Sequence, residues 1–155
     1  MRRWFPRKPE AAVATFEDVH GLCAELGARR RRPILLLGTP LGALGVSGLW
    51  LAADHADVIC YESDTSRPHQ EHIILHELGH ILHGHARSSV VADALGPLFS
   101  ALEPDALRVM LARRHRTFSE REEREAEDFA YAVLARRRRG VADGPAAKLL
   151  RVLGD

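Results

Sequence analysis

Between Ile73 and Leu82 the chain places Ile73, Ile74, Leu75, Leu78, Ile81 and Leu82 around the pentapeptide His76-Glu77-Leu78-Gly79-His80. Apolar side chains at this spacing predict a helix that other elements must cover. The two histidines stand at i and i+4, on one helical face, so the same buried helix must also present two imidazoles to a common point. Gly79, between them, would let a neighbouring backbone approach closely. Ser66 and Pro68 are expected to mark the start of this helix.

Two imidazoles one turn apart can reach a single metal ion, and a glutamate directly after the first stands beside a water that the ion would polarise. This is the HExxH signature of zinc proteases. Short motifs also arise by chance in a chain with nine His, and isolated histidines are commonly surface or packing residues. The apolar surroundings weigh towards a metal site with His76 and His80 as ligands and Glu77 as general base. His72 and His76 also form an i, i+4 pair, but no Glu follows His72. A continuation HExxHxxGxxH would need Gly at 83 and His at 86, whereas the chain has His83, Gly84 and Ala86. The third ligand must therefore come from elsewhere, and His83 and His85 are expected to be exposed or supporting groups near the helix end, where the macrodipole favours their charge.

The run Ser119-Glu120-Arg121-Glu122-Glu123-Arg124-Glu125-Ala126-Glu127-Asp128-Phe129-Ala130 offers carboxylates. Ser119 with Glu122 makes a capping box, and Ala126, Phe129, Ala130, Val133 and Leu134 follow as a buried face. Glu122, Glu123 and Glu127 fall at the edge of that face and are all candidates. Their position favours Glu123 as the third ligand and Glu127 as a residue that orients a histidine or is an alternative ligand, an i, i+4 relation that resembles thermolysin-type zincins. Glu120 and Glu125 read as solvated members of i, i+4 ion pairs.

Taken together, Ile74-Leu75-His76-Glu77-Leu78-Gly79-His80-Ile81-Leu82 and Glu123-Arg124-Glu125-Ala126-Glu127-Asp128-Phe129-Ala130 resemble the ImmA/IrrE family of metallo-endopeptidases, which joins HELGH to a downstream E-x-x-A-N-x-F-A helix. The resemblance spans roughly residues 15 to 135. Glu127 departs from it, standing where the family has Asn, and Tyr131-Ala132-Val133-Leu134-Ala135 replaces its apolar Leu-Leu-Met-Pro ending. What the resemblance implies is a small cytoplasmic zinc peptidase that cuts a regulatory protein, characteristically a helix-turn-helix transcriptional repressor. No second domain is evident to read DNA, so such a repressor would be a separate polypeptide.

The remaining sequence bounds this reading. At 155 residues and 46% hydrophobic, one domain over residues 15–155 is expected, preceded by a flexible basic N-terminus over residues 1–14. The net charge of +1 exerts no global pull on nucleic acid or anionic membrane. Twenty of the 22 basic residues are Arg, with runs at Arg29–Arg32 and Arg136–Arg139. No aromatics alternate with them to stack bases, and direct nucleic-acid binding is not expected. Cys23 and Cys60, without metal-site spacing, suit a reducing compartment. Ile34 to Ala53 carries no charge over a membrane-spanning length, yet Gly38-Thr39-Pro40, Gly42, Gly45 and Ser47-Gly48 break it up. Two buried strands, Ile34–Leu37 and Val46–Ala52, are expected instead of a span. Residues 1–10 lack the apolar core of a signal peptide, and cytoplasm is the expected location.

The expected architecture is α+β and zincin-like. A helix over Thr15–Ala28 leads to a small three-stranded antiparallel sheet, its third strand at Val58–Tyr61 and a turn at Asp54-His55 before it. The motif helix is central, and further helices follow at Asp105–Arg114, Ser119 onward and Pro145–Leu153. The strand just before the motif helix is expected to align an extended substrate by β-augmentation. Tyr131, His115 or an Arg is expected to assist the oxyanion. The spacing suits Zn²⁺ and also admits manganese or iron. Two other functions fit the same residues: a zinc-binding regulatory module that holds a partner without cutting it, and a toxin-like or phage-derived protease with a different substrate.

Overall fold

The computed structural model describes residues 8–9, 13, 16, 18–42, 45–52, 55–85 and 118–142. The helices expected at Asp105–Arg114 and Pro145–Leu153, the segment 87–103, and His115, Thr15 and Asp54 lie outside the described residues, as do residues 1–7.

Asp18, in extended backbone, accepts a hydrogen bond from Gly21 N at 2.8 Å and so satisfies one of the open amides of α1 (Val19–Arg30). Val19, Leu22, Cys23 and Leu26 form the buried face of α1. The helix starts later than the expected Thr15 and closes with Arg31 in the left-handed region. The apolar run that follows is divided into strands: β1 (Ile34–Thr39) and β2 (Gly48–Ala52), then β3 (Asp57–Glu62). No helix among the described residues is long and apolar enough to cross a membrane.

The sheet is mixed, which corrects the antiparallel expectation. Its order is β1-β3-β2, with β3 parallel to β1 and antiparallel to β2. A three-strand meander would be antiparallel throughout. Here the chain reverses twice, so the third strand runs in the direction of the first, and it inserts between the first two. Leu36, Ile59 and Trp50 align across the three strands. The central position explains why Val58, Ile59 and Cys60 are buried in succession and do not alternate in and out. It also corrects the β-augmentation expectation: both edges of β3 are already paired, and β2 is an edge strand among the described residues.

Burial pushes the thiols of Cys23 and Cys60 up to about 12, with the Glu77 charge adding to the effect at Cys60. Both therefore remain protonated packing groups.

Asp57 opens β3 from a fully buried position. It accepts from Arg30 Nη1, Arg32 Nε and Trp50 Nε1, each at 3.0 Å. Arg29 pairs with Glu25 on its own helix. Three of the four arginines in that run thus have internal partners, and Arg137 of the later run binds Glu71 at 2.8 Å and lies over the Phe16 ring.

The motif helix α2 (Arg67–His83) follows Ser66, has Pro68 in its first turn and ends at Gly84, whose φ of 67° gives the left-handed cap. From Ile73 to Leu82 every residue but His76 is buried. A helix can be covered on nearly all sides only if several elements surround it. α2 meets β2 and β3, α1, and a third helix, α3 (Glu120–Ala142). Ser119 and Glu122 form the expected capping box, with bonds of 2.9 and 3.2 Å. Ala126, Phe129, Ala130 and Val133 are the buried face of α3. The described fold is α+β, with three helices and this small mixed sheet.

Candidate metal centre

The two motifs meet where α2 and α3 cross. A Cβ placed on Gly79 would fall 2.9 Å from Ala126 Cα and 3.0 Å from Ala126 O, so only a residue without a side chain permits this backbone approach. Glu123 and Glu127 flank Ala126 by one turn or less, and the crossing carries both carboxylates over the histidines. Gly79→Ala is expected to force the helices apart. Overpacking of this kind costs about 1–3 kcal/mol, more than the gain of roughly 1 kcal/mol in helix propensity. A lower urea midpoint together with weaker metal uptake would be the result.

His76 Nε2 lies 3.0 Å from Glu123 Oε2 and 3.2 Å from His80 Nε2, and His80 Nε2 lies 3.6 Å from the same Glu123 oxygen. Ligands about 2.0–2.1 Å from an ion at tetrahedral angles stand about 3.4 Å from one another. The three atoms fit that requirement, and the group His76, His80 and Glu123 could hold a metal ion.

The other ring nitrogens are engaged. His76 Nδ1 lies 2.9 Å from Glu127 Oε2, while Glu127 Oε1 lies 3.0 Å from His72 Nε2. Burial alone would raise the Glu127 pKa, but the hydrogen bond from His76 and the proximity of both imidazoles outweigh it and bring the group below the usual carboxylate value. An ionised carboxylate only accepts, so His76 donates from Nδ1; in the neutral ring this leaves the lone pair on Nε2, the atom that faces Glu123 and His80. His80 is buried and its ring stacks on Phe118, with centroids 3.7 Å apart. Its Nδ1 meets His85 Nδ1 at 2.8 Å.

Glu77 is buried beside the start of β2: a Cβ on Gly48 would lie 2.9 Å from Glu77 Oε1. The remaining candidates separate cleanly. Glu122 is committed to the helix cap. His72 points to Glu127, so the His72/His76 pair converges on a carboxylate and not on a common empty point. His83 Nδ1 lies 2.8 Å from Gly79 O on its own helix. Tyr131 is exposed, its ring edge-on to His72 at 5.3 Å.

One reading is corrected. Glu125 does pair with Arg121 at 2.9 Å as an i, i+4 partner, but its second oxygen reaches His85 Nε2 at 2.9 Å. It is not simply a solvated charge. The hydrogen bonds from His85 and then Arg121 hold its carboxyl below the usual range. Helical periodicity could not show this contact, because His85 lies beyond the cap at Gly84 and off the helical lattice. Phe118 likewise carried no signal, since it precedes its helix.

Comparisons with family models, with characterised proteins and with solved structures gave no match for this chain.

Proposed function

We propose that this chain is a zinc-dependent endopeptidase with His76, His80 and Glu123 as metal ligands and Glu77 as general base. The observation that carries the reading is the convergence of two imidazole Nε2 atoms and one carboxylate oxygen within 3.0 to 3.6 Å, with a buried glutamate next in sequence to the first histidine. Three such atoms stay close only with a proton or a metal ion among them, and their spacing matches that of ligands around one ion. Among the described residues the set has three protein ligands, the pattern of sites that leave one position for water or substrate.

Zinc, when bound, supplies a Lewis acid that polarises the peptide carbonyl and makes water a nucleophile near neutral pH. The protein residues do the rest. Glu77 takes the proton of the attacking water and returns it to the leaving amine nitrogen. Glu127 holds His76 in the tautomer that offers Nε2. An extended substrate adds to the edge of β2, whose first residue, Gly48, lies against Glu77.

The likeness of the two motifs to the ImmA/IrrE family supports a helix-turn-helix repressor, encoded separately, as substrate. Elemental analysis of the purified protein tests the foundation. One zinc per chain is expected in the parent and in Glu122→Ala, with loss or marked weakening in Glu123→Ala. A parent that takes up no zinc after supplementation overturns the proposal.

A further inference from the structure

The two histidine ligands of the proposed centre are held from behind in different ways. His76 donates directly to a carboxylate. Behind His80 stands a second imidazole: His85, 6% exposed, with Nδ1 at 2.8 Å from His80 Nδ1 and Nε2 at 2.9 Å from Glu125 Oε2. His85 comes from the residue after the αL cap of α2 and Glu125 from the second turn of α3, so the chain His80–His85–Glu125 ties together the same two elements that cross at Gly79 and Ala126.

With both imidazoles neutral, hydrogen-bond direction along this chain follows from its outer end. Glu125 also receives Arg121 Nε at 2.9 Å, and a carboxylate so placed accepts from both neighbours. His85 must then donate from Nε2. A neutral imidazole that donates from one nitrogen accepts at the other, so His85 Nδ1 takes a hydrogen bond from His80 Nδ1–H. His80 is left with its lone pair on Nε2, the atom that faces His76 Nε2 and Glu123. The stacked Phe118 ring fixes the rotation of His80 but provides no acceptor.

We propose that His85 and Glu125 are positioning residues that hold His80 in its metal-binding tautomer, a role that Glu127 performs alone for His76. The inference rests on the metal-centre reading above, but its geometry can be read without metal. Groups that take the second N–H of a ligating histidine orient the ring and increase its basicity, and their removal typically costs 10–100-fold in metal affinity.

The test uses the full chain, ¹⁵N-labelled and metal-free, with imidazole tautomers read by long-range ¹H–¹⁵N correlation, followed by zinc affinity from competition with a chromophoric chelator. The variants are His85→Leu, which fills the volume without an acceptor, and His85→Asn, whose Oδ1 takes the place of Nδ1. Glu125→Ala, at a partly exposed side chain, is the third. The parent and His85→Asn are expected to show His80 protonated at Nδ1, with zinc affinities within about threefold of each other. His85→Leu is expected to shift His80 towards the Nε2–H form and to lose roughly 10–100-fold in affinity, with Glu125→Ala moving the same way by less. The proposal is overturned if His80 in the parent carries its proton on Nε2. It is equally overturned if both His85→Leu and Glu125→Ala keep the parental tautomer. A parent that binds no zinc yet shows the Nδ1–H tautomer, lost in His85→Leu, would refute the metal reading while upholding the hydrogen-bonded chain.

Discussion

Glu77→Gln is expected to keep one zinc per chain and to lower peptide cleavage by about 10²–10⁴-fold, the usual contribution of a positioned proton acceptor. Glutamine matches the volume of glutamate, so the contact with Gly48 and the packing against β2 are retained. What it lacks is a basic oxygen. His76, His80 and Glu123, which converge without it, keep their places. Cleavage of a helix-turn-helix repressor, or of denatured casein as a general substrate, can be followed on gels for parent and variant at equal zinc loading. Equal rates in the two would remove Glu77 from the mechanism. A parent that binds zinc and a partner but cuts nothing, with the variant indistinguishable from it, would favour the zinc-binding regulatory module.

Asp57→Ala is expected to cost about 3–5 kcal/mol of stability, the range for breaking a buried ion pair by removing one partner. Its carboxylate is inaccessible and receives Arg30, Arg32 and Trp50 at once. The Arg30 side chain is only 6% exposed, so alanine leaves a buried guanidinium and an indole N–H without their acceptor. Asp57→Asn keeps an acceptor and loses the charge, and a smaller loss is expected. Urea unfolding followed by circular dichroism measures both. A loss below roughly 1 kcal/mol for the alanine variant would mean that solvent replaces the carboxylate and that the pairs contribute little. The cluster joins the C-terminal end of α1 to the first residue of β3 and includes none of the three proposed metal ligands, so zinc stoichiometry of the folded variant should equal that of the parent.

The site was more legible than the sheet. An i, i+4 pair of histidines shares a face on any α-helix, and a capping box announces a helix start wherever it occurs. The structure accordingly starts α2 after Ser66 and α3 after Ser119. The strands were found within a few residues, but alternation and turn residues describe each strand separately. They contain nothing about which strand is inserted between which, and the antiparallel expectation followed chain order where the structure places β3 in the centre. The same limit applied to Glu125. Its spacing to Arg121 predicts a surface pair, and that pair exists, yet the decisive partner is 40 residues away, beyond a helix cap.

By itself the sequence determined that His76 and His80 share one face of a buried helix, that Glu77 stands beside them, and that a carboxylate-rich helix begins after Ser119. These are consequences of backbone geometry over a few residues. Only the tertiary structure shows which of Glu122, Glu123 and Glu127 stands with both histidines, because that depends on where two helices touch. Gly79 and Ala126 form that contact. It leaves Glu122 in the cap, puts Glu123 opposite both Nε2 atoms and Glu127 behind His76, and brings His85 and Glu125 together behind His80.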